Sequence, residues 1–257
     1  MNADDLSNPL EYIAKQQYKN WIEFYTKNTF KSFENTFKDE SKFNKFLKNF
    51  NDENEKFKFI FCGNYYHYLK FNEGLNANIQ LIMILSIVEK IYSKDEFIDF
   101  KDWCAKNQSE INIKDFTSFK GMLEYLKSQY HKIHGSRQKV SGFFQDYFDQ
   151  KDKKSLLDSI IFKPTIEDLD GEKIDFHKFI NILYIMRNNF VHDARFVPIH
   201  KEGGIGGNIR YNNKEVFVHF EMKMYEFLKM FERAYIKYFR SLQNDQLKTN
   251  STTKISV

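Results

Sequence analysis

Tyr184-Ile185-Met186-Arg187-Asn188-Asn189-Phe190-Val191-His192-Asp193 is the stretch where an apolar run turns polar. Upstream of it, Phe176, Phe179, Ile180, Leu183 and Met186 recur at helical spacing behind Asp175, which is placed to cap them. The helix predicted here therefore gathers Arg, Asn, Asn and His within six positions. Groups of this kind are costly to bury unpaired, so they either face water or line a polar site. Tyr184, Asn188 and His192 lie four apart and share one face of the helix. Arg187 stands five before His192, about 140° around the axis, with a side chain long enough to lean back to the same cleft. Taken as isolated residues, Arg187 reads as a solvated or salt-bridged group. His192 then reads as a helix-terminal histidine favoured by the macrodipole.

Outward from this helix the chain reads as all-α. Its 257 residues are 42% hydrophobic, enough for a sizeable core, and contain only three prolines and ten glycines, which permits long helices and argues against a turn-rich sandwich. A net charge of +4 does not by itself point to nucleic acid. Most basic residues are lysine; arginine occurs only at 137, 187, 195, 210, 233 and 240, so an arginine inside an apolar helix calls for a reason. The 28 phenylalanines invite a base-stacking reading, but most sit at core spacing. Cys62 and Cys104 form no disulfide framework or zinc motif. The acidic, polar N-terminus does not resemble a signal peptide, and Leu81 to Val88 is too short an apolar run to span a bilayer. A cytoplasmic protein with no membrane association, metal or cofactor is expected.

Pro9, Leu10, Ile13, Tyr18, Trp21, Ile22 and Tyr25 predict a first helix, with Asn8 as cap and Glu11 in its capping box. Phenylalanines at 30, 33 and 37, and then 43, 46 and 50, predict two more. Phe57 to Cys62 alternates with lysine and reads as a short strand, and Tyr65 to Phe71 is ambiguous. From residue 76 the helical pattern is cleaner: Leu81, Ile82, Leu85, Val88 and Tyr92; Phe119, Met122, Leu126 and Tyr130 behind Asp115; Val140, Phe143, Phe144 and Tyr147; Leu156, Leu157, Ile160 and Ile161. Gly203 to Gly207, a turn at Asn212-Asn213, and Val216, Val218 and Phe220 in alternation predict a small β-hairpin before the last helix. The expected organisation is a helical extension over 1–75, a helical domain over 76–242 and a disordered polar tail over 243–257.

Arg187-Asn188-Asn189-Phe190-Val191-His192 resembles the signature of the HEPN superfamily, an arginine, often followed by asparagine, and a histidine four to six residues on. The helix Ile79–Tyr92, with Leu85-Ser86-Ile87-Val88-Glu89, is similar to the opening helix of the Apea-like HEPN branch, which commonly carries an acidic residue there. The resemblance covers about 76–242. Residues 1–75 match nothing recognised, and the glycine-rich hairpin is an embellishment outside the family pattern. The resemblance implies an HEPN-like helical bundle, homodimerisation through the motif helices and, in many members, metal-independent endoribonuclease activity, some of it in toxins or defence effectors. On the matching positions it implies that Arg187 and His192 are catalytic, with Asn188 in support.

That chemistry is sound from first principles. RNA carries its own nucleophile in the 2′-OH, so an enzyme need only move protons and stabilise the crowded phosphate. Histidine, with a pKa near ~6.5, moves protons at neutral pH, and a guanidinium holds phosphate in a forked geometry. The expected products carry a 2′,3′-cyclic phosphate and a 5′-OH. Tyr184 shares the motif face. Glu89 either reaches Arg187 or faces water. Asp193 either orients His192 or merely adjoins it. Two other readings stay open. One is a non-catalytic HEPN module that binds a nucleotide or a regulatory partner protein; the other is a structural helical protein in which the motif is coincidence. His131 and His134 lack a third metal ligand, and Gly203 to Gly207 lacks the Lys-Ser/Thr of a P-loop.

Overall fold

The computed structural model describes residues 9–72, 74–92, 98–107, 117–163, 173–193, 205–211 and 214–253. It is mostly helical, with one small antiparallel sheet late in the chain. The helices are α1 (Pro9–Ser32), α2 (Glu34–Phe37), α3 (Glu40–Lys48), α4 (Glu53–Phe71), α5 (Ala77–Ile91), α6 (Phe100–Lys106), α7 (Phe119–His134), α8 (Ser136–Tyr147), α9 (Gln150–Asp158), α10 (Phe176–Asp193) and α11 (Met224–Thr253). The strands are β1 (Ile160–Lys163), β2 (Ile205–Tyr211) and β3 (Lys214–Phe220). Two compact units emerge: Met1–Leu75 together with Tyr235–Val257, and Asn76–Ala234.

The first unit is held by aromatic packing. Phe33 is fully buried and lies nearly parallel to Tyr235, ring centroids 5.0 Å apart, and to Tyr66 at 5.4 Å. Tyr235 is also fully buried, and its hydroxyl donates to the Phe59 carbonyl at 2.7 Å, which satisfies the one polar atom it takes into the core. Helices α1 and α4 approach closely where Gly63 faces Thr29; a Cβ on Gly63 would collide with that threonine. The Thr29 hydroxyl donates to the Ile60 carbonyl at 2.8 Å, and the Asn28 amide donates to Asn64 Oδ1 at 2.9 Å, so this tight polar seam is satisfied.

Three sequence expectations are corrected in this unit. Phe57 to Cys62 is not a strand but the middle of α4. The lysine alternation comes from Lys56–Glu53 and Lys58–Glu55 ion pairs three residues apart, a spacing that meets only on a helix. Tyr18 and Trp21 do not face the core; they are 57% and 60% exposed, and α1 is instead buried at Asn28, Thr29 and Ser32, with Phe33 buried just after it. The tail expected to be disordered from Gln243 continues α11 to Thr253, and buried Gln243 donates to the Phe46 carbonyl at 3.0 Å. Residues from Tyr235 onward therefore belong with the N-terminal helices, not with 76–242.

In the second unit, β3 is the central strand and the order is β1-β3-β2. Val216, Val218 and Phe220 are buried on alternate positions of β3, as the hairpin pattern requires. Ile160 and Ile161, expected on a helix, instead open β1, with Ile160 opposite Phe220. Here α9 ends at Asp158, and the Ser159 carbonyl accepts from the Glu221 backbone amide at 2.8 Å, which starts the pairing. The Asn212-Asn213 turn, Gly203, Gly204 and the Asp115 cap lie outside the described residues. Ser118 caps α7, its hydroxyl accepting from the Gly121 amide at 3.1 Å.

Candidate functional site

Helix α10 begins where Asp175 accepts the Lys178 amide at 2.7 Å, an N-cap at the expected residue. Its buried stripe runs through Phe179, Ile180, Leu183 and Met186. Polar residues occupy the adjoining face, and α5 and α8 bring partners to it. Helix α5, capped by Asn76, buries Leu81, Ile84, Leu85 and Val88, so the next residue, Glu89, is carried to the core edge.

There Arg187 and Glu89 meet. Arg187 Nη2 lies 3.5 Å from Glu89 Oε2, and both side chains are only 19% exposed. Arg187 Nη1 donates to Asn188 Oδ1 at 3.0 Å, and the guanidinium carbon sits 5.7 Å from the Tyr184 ring centroid, within cation–π range. The contact between Arg187 and Glu89 is loose for an ion pair, and neither group is fully used. Arg187 Nε and Glu89 Oε1 are buried without a hydrogen-bond partner among the described residues. Burial pushes the Glu89 pKa up; Arg187, Lys139 and the Ser136 hydroxyl act in the opposite direction but do not overcome it. The Nε is closed to solvent, so the atom of this guanidinium suited to receive an anion is the terminal nitrogen held only loosely, at 3.5 Å, by Glu89.

Helix α8 supplies the rest. Arg137 Nε donates to Asn181 Oδ1 at 2.6 Å, and Ser141 Oγ is 3.1 Å from His177 Nδ1. Asn181 and Ser141 are both buried, so α8 and α10 meet along a satisfied polar seam beside the apolar one. Ser136, Arg137 and Lys139 carry no motif. The available signal for Arg137 was the scarcity of arginine; its partner lies 44 residues away, beyond any local pattern.

The expected site residues thus separate. Arg187, Asn188, Tyr184 and Glu89 form one cluster. His192 is exposed in the last turn of α10 and makes no hydrogen bond or ion pair with the described residues. Helix geometry sets it about 7.5 Å along the axis from Arg187 and 140° around it. The α10 helix extends through Asp193, whose side chain is outside the described residues. Among the described residues no cluster of His, Cys, Asp and Glu could hold a metal ion; His131 is exposed, and the side chain of His134 is not described. No described helix is long and apolar enough to cross a membrane. No protein-family model, curated protein or solved structure matches the chain.

Proposed function

We propose that this chain is an RNA endonuclease of HEPN type, acting as a toxin or defence effector in the cytoplasm, with Arg187 and His192 as its catalytic residues. The observation that carries the reading is the Arg187 cluster. A half-buried guanidinium is steadied by Asn188 and Tyr184 and held loosely, at 3.5 Å, by Glu89, and the same helix presents an exposed histidine five residues on. In the reaction the 2′-oxygen attacks phosphorus and the bond to the 5′-oxygen breaks. A base takes the 2′ proton, and an acid delivers a proton to the departing 5′-oxygen. His192 supplies proton transfer, Arg187 stabilises the charge on the phosphoryl oxygens, and Asn188 orients Arg187. No cofactor is required, because the substrate carries its own nucleophile. A homodimer through α10 would set the histidine of one copy near the arginine of the other, which answers their separation within one chain.

The hold of Glu89 on Arg187 favours a second reading. In it the arginine serves a regulatory module that binds a nucleotide phosphate or a partner protein and cleaves nothing. The readings separate on total RNA incubated in EDTA with wild type, His192→Ala and Arg187→Ala. Cleavage by wild type alone supports the nuclease. Thermal stabilisation by nucleotides with no cleavage supports the module.

A further inference from the structure

We propose that Arg137 is a second phosphate contact beside Arg187, so that the α8–α10 seam holds the backbone of single-stranded RNA at two points. The identity of the ligand rests on the nuclease reading; the paired contact rests on the geometry.

Two guanidinium groups from different helices are each held by an asparagine oxygen of α10. Arg137 donates through Nε to Asn181 at 2.6 Å, and Arg187 through Nη1 to Asn188 at 3.0 Å. The two asparagines are seven residues apart, so they share a face and stand about 10 Å apart along the helix. Asn181 is only 4% exposed, so a buried amide is committed to fixing an exposed arginine. An arginine that merely solvates a surface needs no such anchor. Bonding through Nε leaves both terminal amino groups of Arg137 without a partner among the described residues. That pair is the fork that matches two phosphate oxygens.

Among the described residues, Lys139 of α8 and Arg187 of α10 both act on Glu89, and Arg137 stands two residues before Lys139, so three cations lie on the two helices that flank this carboxyl. Ser136, the neighbour of Arg137, acts on Glu89, so the first turn of α8 and the Arg187 cluster form one patch. The 3.5 Å contact between Glu89 and Arg187 is long enough for a phosphate to compete for the guanidinium. A strip two helical turns long suits one strand, whereas shape recognition of duplex RNA spans about 16 base pairs.

The test is binding of a fluorescent single-stranded RNA with 2′-O-methyl sugars, which cannot undergo transfer from the 2′-OH. Affinity is measured over a salt series for the full chain and for Arg137→Ala and Arg137→Lys, each checked for native helicity. Loss of one phosphate contact lowers the slope of log affinity against log salt by about 0.7. Arg137→Ala is expected to show that drop and to bind about tenfold more weakly. Arg137→Lys is expected to keep the slope and lose part of the affinity, because charge survives without the fork. Equal affinity and slope in wild type and Arg137→Ala overturn the proposal, as does absence of binding by wild type. Ordinary RNA cleaved by wild type with no Arg137 dependence in binding would sink the subsite and spare the nuclease. Arg137-dependent binding without cleavage would do the reverse.

Discussion

The two units of this protein differ in where their charged groups meet: the first buries a neutral polar seam of Asn28, Thr29 and Asn64, and the second gathers Glu89, Arg137 and Arg187 at the edge of its core. In the first, rings stack on rings: Phe33, Phe59, Tyr66, Tyr235 and Phe239 are buried almost without exposed area, and the Tyr235 hydroxyl is matched by the Phe59 carbonyl. In the second, α5, α8 and α10 pack aliphatic residues with Phe143, Phe144 and Phe179 and border that core with Glu89, Arg137, Asn181 and Arg187; Glu89 Oε1 and Arg187 Nε stay without a partner among the described residues. Buried polar atoms without a partner among the described residues occur in both units, at Glu55 and His67 as well as at Glu89 and Arg187; what sets the second unit apart is that Glu89 and Arg187 meet in one cluster of guanidinium, carboxyl and amide. Phenylalanine packs both cores, with 12 of the 28 in the first unit and 16 in the second, whereas five of the six arginines lie in the second.

Changes in the two units should break this contrast in different currencies. The largest effect is expected on catalysis. His192→Ala should lower RNA cleavage by about 10²–10⁴-fold, the usual range for a lost acid–base group. Its melting temperature should stay near that of wild type, because the residue is exposed and forms no bond with the described residues. A variant that loses activity only by unfolding, as seen by circular dichroism, would contradict this. In the first unit the loss should be one of stability. Phe33→Ala should cost about 3–5 kcal/mol in denaturant unfolding, as for a buried aromatic. Gly63→Val should cost about 1–3 kcal/mol, because the added side chain meets Thr29 at the closest approach of α1 and α4. A neutral result for Gly63→Val would remove that tight crossing from the account.

Smaller effects sharpen the comparison through pH. Burial raises the Glu89 pKa, so the folded state favours its protonated form. Its contribution is complete below about 4.5 and is lost as pH rises through the raised folded value. Glu89→Gln should remove that part of the pH dependence of unfolding, and an unchanged difference curve would contradict the burial argument. In the first unit, burial, aided by Lys31 and Lys70, pushes the His67 pKa down. Its contribution is complete above about 6.5 and is lost as pH falls through the depressed folded value. His67→Gln should flatten the acid side of the stability curve. The two groups thus tilt stability in opposite directions, and a common slope for both variants would break the contrast.

Local patterns carried much of the architecture. Asp175 and the stripe through Phe179, Ile180 and Leu183 located α10, and the alternation of Val216, Val218 and Phe220 located a strand. The helical class, with a small hairpin before the last helix, followed from these. What was not legible depends on partners far along the chain. Ile160 became a strand because β3 pairs with it sixty residues later, and Gln243 stayed helical because the Phe46 carbonyl receives it. Phe57 to Cys62 imitated a strand because paired lysines alternate with rings on a helix. Within the site, an acid on an otherwise apolar helix pointed to Glu89, whereas Arg137 and Asn181 meet across 44 residues and left no motif.

The most direct test of the central claim is to type the ends of RNA cut by the wild-type chain in EDTA, beside His192→Ala and Arg187→Ala. Cyclic 2′,3′-phosphate and 5′-OH ends from wild type, absent with both variants, are the predicted result. Ends bearing a 3′-OH and a 5′-phosphate, or cutting that survives in both variants, would contradict it.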